Sequence, residues 1–296
     1  MIDVFNAHRS LLFGIAYRML GRVSEAEDIV QDVWLRWQRQ DAAEIRSAKA
    51  WLVAATTRLC IDQLRLARRE REDYYGIWLP EPLVPVTASD PGQAAELADS
   101  LSFAFMMMLE SLGPTERAVF LLREVFAYDY AEVAAIVGKS EANCRQIVRR
   151  ARESLQTAPR PTVAPTDQAR NLVETFLAAA ASGEVEPVLA LLAEESTVYS
   201  DGGGRVKAAG RAIRGADHVS RFLLGIWPRF MTTMDSQAVA INGSPGLLVS
   251  SQGQVHYALA FEIAANRIQA IYILCNPDKL RHLGRGPEMG DLKPET

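Results

Sequence analysis

The amino-acid sequence predicts a multidomain chain with two all-α domains, the second containing a helix-turn-helix, and a C-terminal α+β domain. Three observations carry that prediction. Apolar residues recur at helical spacing, with almost no glycine or proline, from the first residues to about residue 72. Proline-rich punctuation then breaks the pattern twice, at Pro80, Pro82, Pro85 and Pro91 and again across Thr157 to Thr166. After Asp167, alternating β-branched and polar runs supply strand signals. The boundaries that follow are 1–75 and 93–156 for the helical domains, 76–92 and 157–166 for linkers, and 167–296 for the α+β domain.

The elements follow in order. Phe5 to Leu20 reads as an amphipathic helix; Asp3, His8, Arg9 and Arg18 within its apolar pattern argue against a signal peptide or membrane span. Ser24 is placed to cap a helix from Glu25 to Arg39, with Glu25, Glu27 and Asp28 complementing its dipole. Ser47 caps a third, from Ala48 to about Arg71. Helical patterning resumes near Gln93, and Pro114 suits the first turn of Thr115 to Phe126. Tyr130 to Gly138 is a short helix with a glycine stop, and Ser140 caps the next one. In that next helix Cys144, Ile147, Val148, Ala151 and Leu155 fall on one face. Asn143, Arg145, Gln146, Arg149 and Arg150 fall on or near the other, and amides and guanidinium groups read base edges and grip phosphates. Helix, glycine turn and Ser-capped polar helix read as a DNA-binding helix-turn-helix. In the last domain two helices, 167–183 and 185–192, precede strands at STVYS, MDSQAVAI, GLLVSSQ, QVHYALAFEIA and RIQAIYIL, with a helix from Ala216 to about Phe230 among them.

With 49% apolar and 23% charged residues the composition is that of a folded, soluble protein. Cys60, Cys144 and Cys275 are far apart and lack metal-ligand spacing, so reduced thiols in a cytoplasmic protein are expected, with no metal and no cofactor. The net charge of −4 argues against a general nucleic-acid coat, but basic residues cluster at Arg65–Arg71 and Lys139–Arg152. Local clusters outweigh the global sum because salt screens exposed charges beyond roughly 8–10 Å. Such a chain needs a partner to hold it on DNA.

The motif order is specific. Ala26-Glu27-Asp28-Ile29-Val30-Gln31-Asp32-Val33-Trp34 precedes Ala50-Trp51-Leu52 and an Arg-rich helix end; a proline-rich linker, LGPTERAVFLL and the helix-turn-helix follow. This resembles the extracytoplasmic-function sigma factors of bacterial RNA polymerase. Trp78-Leu79-Pro80-Glu81-Pro82, Asp201-Gly202-Gly203-Gly204 and Asn276-Pro277-Asp278-Lys279-Leu280 resemble the signatures of a subgroup with a fused SnoaL-like domain of the NTF2-like cone fold. The resemblance implies two helical sigma domains plus that cone, a core RNA polymerase partner engaged through its β′ clamp helices and β subunit, and promoter DNA.

Residue by residue, the resemblance implies that Asp28, Gln31, Asp32 and Leu35 dock on polymerase. Lys49, Trp51, Arg58, Arg65, Arg68 and Arg69 would read the minus-ten element, where aromatic platforms stack unpaired bases and basic groups follow the backbone. Thr56-Thr57-Arg58 departs from the Ala-Arg-Asn of many relatives, which leaves open which bases are read. Lys139, Ser140, Asn143, Arg145, Gln146, Arg149 and Arg150 would read the minus-thirty-five element. Trp78 to Pro82, Asp201 to Gly204 and Asn276 to Leu280 would form regulatory contacts between domains.

A second reading is a SnoaL-like enzyme with an appended DNA-binding module. Asp201, His218, Asp235, His256 and Tyr257 are its candidate groups, but their spacing forms no catalytic arrangement, and Asp201 before three glycines better suits a turn. A small-molecule ligand in the cone is compatible with either reading. An ordinary helix-turn-helix repressor would leave the acidic helix and Trp51 without a role.

Overall fold

The computed structural model describes residues 1–40, 45–72, 74–84, 101–155, 166–231 and 234–284. Gln93, where helical patterning was expected to resume, lies outside them.

The first helical unit is α1 (Ile2–Leu20), α2 (Val23–Trp37) and α3 (Ala48–Glu72). Gly21 ends α1 in the left-handed region at φ 71°, its N–H donating to the Tyr17 carbonyl at 2.7 Å. Helix α2 buries Ala26, Ile29, Val30, Val33 and Trp37, the stripe its period demands. Ser24 does not cap it. The helix starts at Val23, and the Val23 N–H is taken at 2.8 Å by the Glu81 carboxylate, far along the chain. Ser47 Oγ does accept from Ala50 N–H, at 3.3 Å, at the start of α3.

The second unit is α4 (Phe103–Leu109), α5 (Pro114–Glu124), α6 (Tyr130–Val137) and α7 (Glu141–Leu155). Gly138 adopts φ 67° and Ser140 Oγ accepts from Asn143 N–H at 3.3 Å, which gives the expected helix-turn-helix. One apolar cluster runs from Phe5 through Val33 and Leu64 to Val119, Val148 and Ala151, so the two helical units share a core.

The third unit opens with α8 (Thr166–Ser182) and α9 (Val185–Leu191) and continues β1 (Leu192–Asp201), β2 (Ile213–Arg214), α10 (Ala216–Met231), β3 (Asp235–Ile241), β4 (Ser244–Ser251), β5 (Gln254–Ala264), β6 (Arg267–Leu274) and α11 (Pro277–Leu280). Its sheet runs β2-β1-β6-β5-β4-β3, parallel only between β1 and β6. Strand alternation divides its side chains. Val198, Phe261, Ile271 and Ile273 pack with Phe176, Leu223 and Trp227 of the helices, the layering an α+β cone requires. Tyr199, Tyr272, Leu274 and Ala260 point the other way and pack on Leu79 and Phe103, which come from the linker and α4. Register shifts in β1, β4 and β5 bend the sheet.

Candidate interdomain and nucleic-acid interfaces

The linker lies between the first helical unit and the α+β unit and bonds to both. On the α+β side stands the Asp201 carboxylate, buried at the end of β1. It accepts from Leu79 N–H (2.9 Å), Lys279 Nζ (2.7 Å), Tyr74 O–H (2.5 Å) and Gly203 N–H (3.0 Å). Lys279 is buried with it, donates to the Leu79 carbonyl, and lies 4.3 Å from the Trp78 ring centroid and 4.8 Å from that of Tyr74. Burial pulls the Lys279 ammonium down to about 8, and Asp201 limits the fall. Burial and the Asp201 carboxylate both push the Tyr74 hydroxyl up. Asn276 caps α11, its Oδ1 accepting from Asp278 N–H, and its Nδ2 donates to Tyr74 at 3.0 Å. A Cβ on Gly203 would stand 2.1 Å from Asn276 Nδ2, which explains a glycine there. Thus Asp201, Gly203, Asn276 and Lys279 converge on Trp78–Leu79. The turn expected at the glycines is present, but Asp201 is an ion-paired interior group rather than a surface turn residue. All its oxygens are engaged, which disfavours it as a catalytic base. His218 and Asp235 are exposed, and His256 and Tyr257 are partly buried.

On the helical side Glu81 is the anchor. Its N–H donates to the Gly21 carbonyl (2.8 Å), its carbonyl accepts from Tyr17 O–H (2.7 Å), and its carboxylate holds the start of α2. Trp78 covers Gly21; a Cβ there would meet the indole at 2.5 Å. Pro80 and Pro82 are buried, and His282 Nε2 reaches the Pro82 carbonyl at 2.8 Å. Asn242, at the β3–β4 turn, donates to Tyr17 Oη (2.6 Å) and the Leu101 carbonyl (2.9 Å) and accepts from Leu83 N–H (2.8 Å). Sequence reasoning gave no role to Asn242, Tyr17, Tyr74 or His282. Asn242-Gly243 between two strand runs signals a hairpin turn, but no local pattern shows what the turn touches.

The helical units meet through arginines. Arg58 donates to the carbonyls of Ile136 (3.0 Å) and Ala135 (3.3 Å) at the end of α6. Lys49 sits 5.5 Å from the Tyr128 ring centroid. Arg117 is buried and bonds the Met19 carbonyl (2.7 Å) and Glu110 (2.8 Å). Arg18, lowered to about 10 by burial, lies over Phe126 at 5.4 Å. Lys49 and Arg58, expected on DNA, therefore face the second helical unit. Trp51 is half-buried against Trp37, centroids 5.4 Å apart. Arg65 is exposed beside Asp62; the Arg68 and Arg69 side chains lie outside the described residues.

Two other surfaces are open. Asp28, Gln31, Asp32 and Leu35 form one exposed stripe on α2. Lys139, Ser140, Asn143, Arg145, Gln146, Arg149 and Arg150 are all exposed on the helix-turn-helix. Arg145 pairs with Glu141 (2.7 Å) and Arg149 with Glu153 (3.2 Å). Exposed pairs of this kind contribute about 0–1 kcal/mol, so they are no obstacle to DNA contact.

Residues 4–70 match the family described as Sigma-70 region 2, and residues 102–155 match Sigma-70, region 4. The ECF RNA polymerase sigma factor SigJ of Mycobacterium tuberculosis is 38% identical over 289 residues, covering 94% of this chain and 92% of its own length. This chain belongs to the extracytoplasmic-function sigma factors. A probable sigma factor of the family, SigI of the same species, is 32% identical over 281 residues, 93% of each chain. The crystal structure of M. tuberculosis SigJ superposes with a TM-score of 0.77 at 35% identity, covering 95% of this sigma factor and 98% of that one. The likeness thus includes the fused α+β domain. Among the described residues, no helix of the sigma factor is long and apolar enough to cross a membrane.

Proposed function

We propose that this sigma factor rests in a closed form in which region 2, region 4 and the α+β domain are one packed body, and that core RNA polymerase opens it. The exposed α2 stripe of Asp28, Gln31, Asp32 and Leu35 is the docking surface. Region 2 then reads the minus-ten element through Lys49, Trp51, Arg58 and Arg65 with Arg68 and Arg69, and region 4 reads the minus-thirty-five element through its recognition helix. The α+β domain acts in cis, holding the linker through Asp201, Asn276 and Lys279. It acts in place of a separate inhibitor, and it is not assigned catalysis.

One observation carries the reading. The guanidinium of Arg58 is bonded to the end of α6 while the docking stripe is open. Polymerase can bind before DNA can, and its binding must supply the free energy that separates region 4 from region 2. The test is a distance measurement between dyes on Asp62→Cys and Ser111→Cys, both exposed and outside the DNA-reading residues, made practical by burial of the three native cysteines. The distance should lengthen when core polymerase is added, in parallel with promoter-dependent transcription in vitro. A chain that binds polymerase and transcribes with no change in that distance would refute the closed form. A chain that does not bind polymerase would refute the whole reading.

A further inference from the structure

The segment from Gly202 to Arg214 of the α+β domain is not explained by the linker contacts alone. It carries Arg205, Lys207, Arg211 and Arg214 and no acidic residue, in a chain of net charge −4. All four basic residues are exposed. Arg205 pairs with the exposed Asp278 at 3.4 Å, so Lys207, Arg211 and Arg214 carry most of the positive charge.

Its position matters more than its charge. A Cβ on Gly204 would meet Tyr75 at 3.5 Å, and one on Gly76 would meet Gly210 at 3.9 Å. The segment therefore lies against residues 74–76, directly beyond the end of α3, whose final turns hold Arg65, Arg68 and Arg69. Arg214 is paired with Thr197 across β1, two residues from Tyr199 and four from Asp201. Strand alternation thus sends Arg214 out on the face that carries the linker, away from the helices α8 and α10. Tyr75, 76% exposed, and Val206, 40% exposed, border the same strip.

We infer that this segment grips the phosphodiester backbone of promoter DNA, extending the region 2 surface onto the α+β domain. An acidic protein could also meet a basic loop. The end of α3 and the residue after it add four arginines, Arg65, Arg68, Arg69 and Arg71, against three acidic residues, Glu70, Glu72 and Asp73, and the exposed Tyr75 ring follows them. That net positive end with an exposed ring beside the basic segment favours nucleic acid: backbone-tracking cations interleaved with a stacking platform are how single strands at an opened duplex are held. The inference rests on the sigma-factor reading and adds a role for the fused domain that acts in the opposite sense to its restraint of the linker.

The experiment uses the full chain assembled with core polymerase and a fluorescein-labelled duplex containing a short unpaired bubble, titrated by anisotropy from about 50 to 200 mM salt. Each phosphate that the protein ceases to neutralise lowers the slope of log K against log salt by about 0.9, so Lys207→Gln/Arg211→Gln/Arg214→Gln should flatten it by roughly 2–3. These side chains are exposed, so the thermal midpoint should hold. An iron chelate attached at Lys207→Cys should cut the DNA near the bubble. An unchanged slope together with absent cutting, in a holoenzyme that Arg65→Gln does impair, overturns the role of the segment on DNA and leaves the sigma reading standing. If Arg65→Gln is also without effect, the minus-ten assignment and the role of the segment both fall.

Discussion

Replacing Asp201 with Asn tests the interior pair on which the linker rests. The substitution keeps shape and leaves an acceptor for Leu79 N–H or Tyr74 O–H, but removes the charge opposite Lys279. Both partners are buried, with side chains 0% and 3% exposed. Removing one member of a buried pair costs about 3–5 kcal/mol, because the other charge is left uncompensated. An independent ceiling comes from Lys279 itself, which can escape by losing its proton. In the wild type Lys279 already sits at about 8 in place of 10.5, so at pH 7 the added cost of that escape is about 1.4 kcal/mol, the one unit from 8 to 7. The escape is cheaper than keeping an uncompensated charge, so it sets the charge contribution, and the hydrogen bonds that the carboxylate loses add about 1 kcal/mol. Urea unfolding of the full chain should therefore show a loss of about 1–3 kcal/mol at pH 7. The pH dependence has a definite sign. In the wild type Lys279 is held at about 8; without Asp201 it falls lower. Where the folded lysine has shed its proton and the unfolded one retains it, stability rises with pH. The deficit of the variant should therefore shrink as pH is raised toward 8 and level off above it. A variant within about 0.5 kcal/mol of wild type at pH 7, or a deficit that widens toward pH 8, would refute the reasoning.

Glu81→Gln weakens the acceptor that closes the first turn of α2; a loss near 1 kcal/mol is expected, read as faster amide exchange at Val23 and weaker polymerase affinity. Asn242→Ala removes three hydrogen bonds and puts alanine at φ 52°, so the closed form should lose about 3 kcal/mol and the chain between residues 76 and 84 should be cut faster by protease. Arg149→Ala should lower promoter affinity by about 1–3 kcal/mol if the side chain reads a base bidentately, with little change in Tm; unchanged affinity removes it from the site.

Much of this architecture was legible because it is local. Gly138 followed by Ser140 marks a helix stop and a cap through backbone chemistry that acts within a few residues, and the stripe Cys144, Ile147, Val148, Ala151 fixes which face is outside. The β-branched runs gave four strands near their observed limits, while β2, of two residues, is too short to show a period. The bonding partners of Arg58, Glu81 and Asn242 were not legible. Arg58 sits in an arginine-bearing helix, and nothing within it states that α6 will end against it. Glu81 caps a helix 58 residues away in place of the adjacent Ser24, a choice made by tertiary packing. The motifs Trp78–Pro82, Asp201–Gly204 and Asn276–Leu280 could be picked out singly, but only the folded chain shows them surrounding one buried carboxylate.

Helix α4 has one further consequence. Its Phe103 stacks on Tyr272 of the sheet, centroids 5.2 Å apart, while Met106 and Leu109 on its other side complete the core shared by regions 2 and 4. A seven-residue helix thus belongs to two hydrophobic interiors at once. Cutting the gene after region 4 would strand Phe103 and Leu79 in water and leave a sticky, ill-fitting initiator rather than a liberated one.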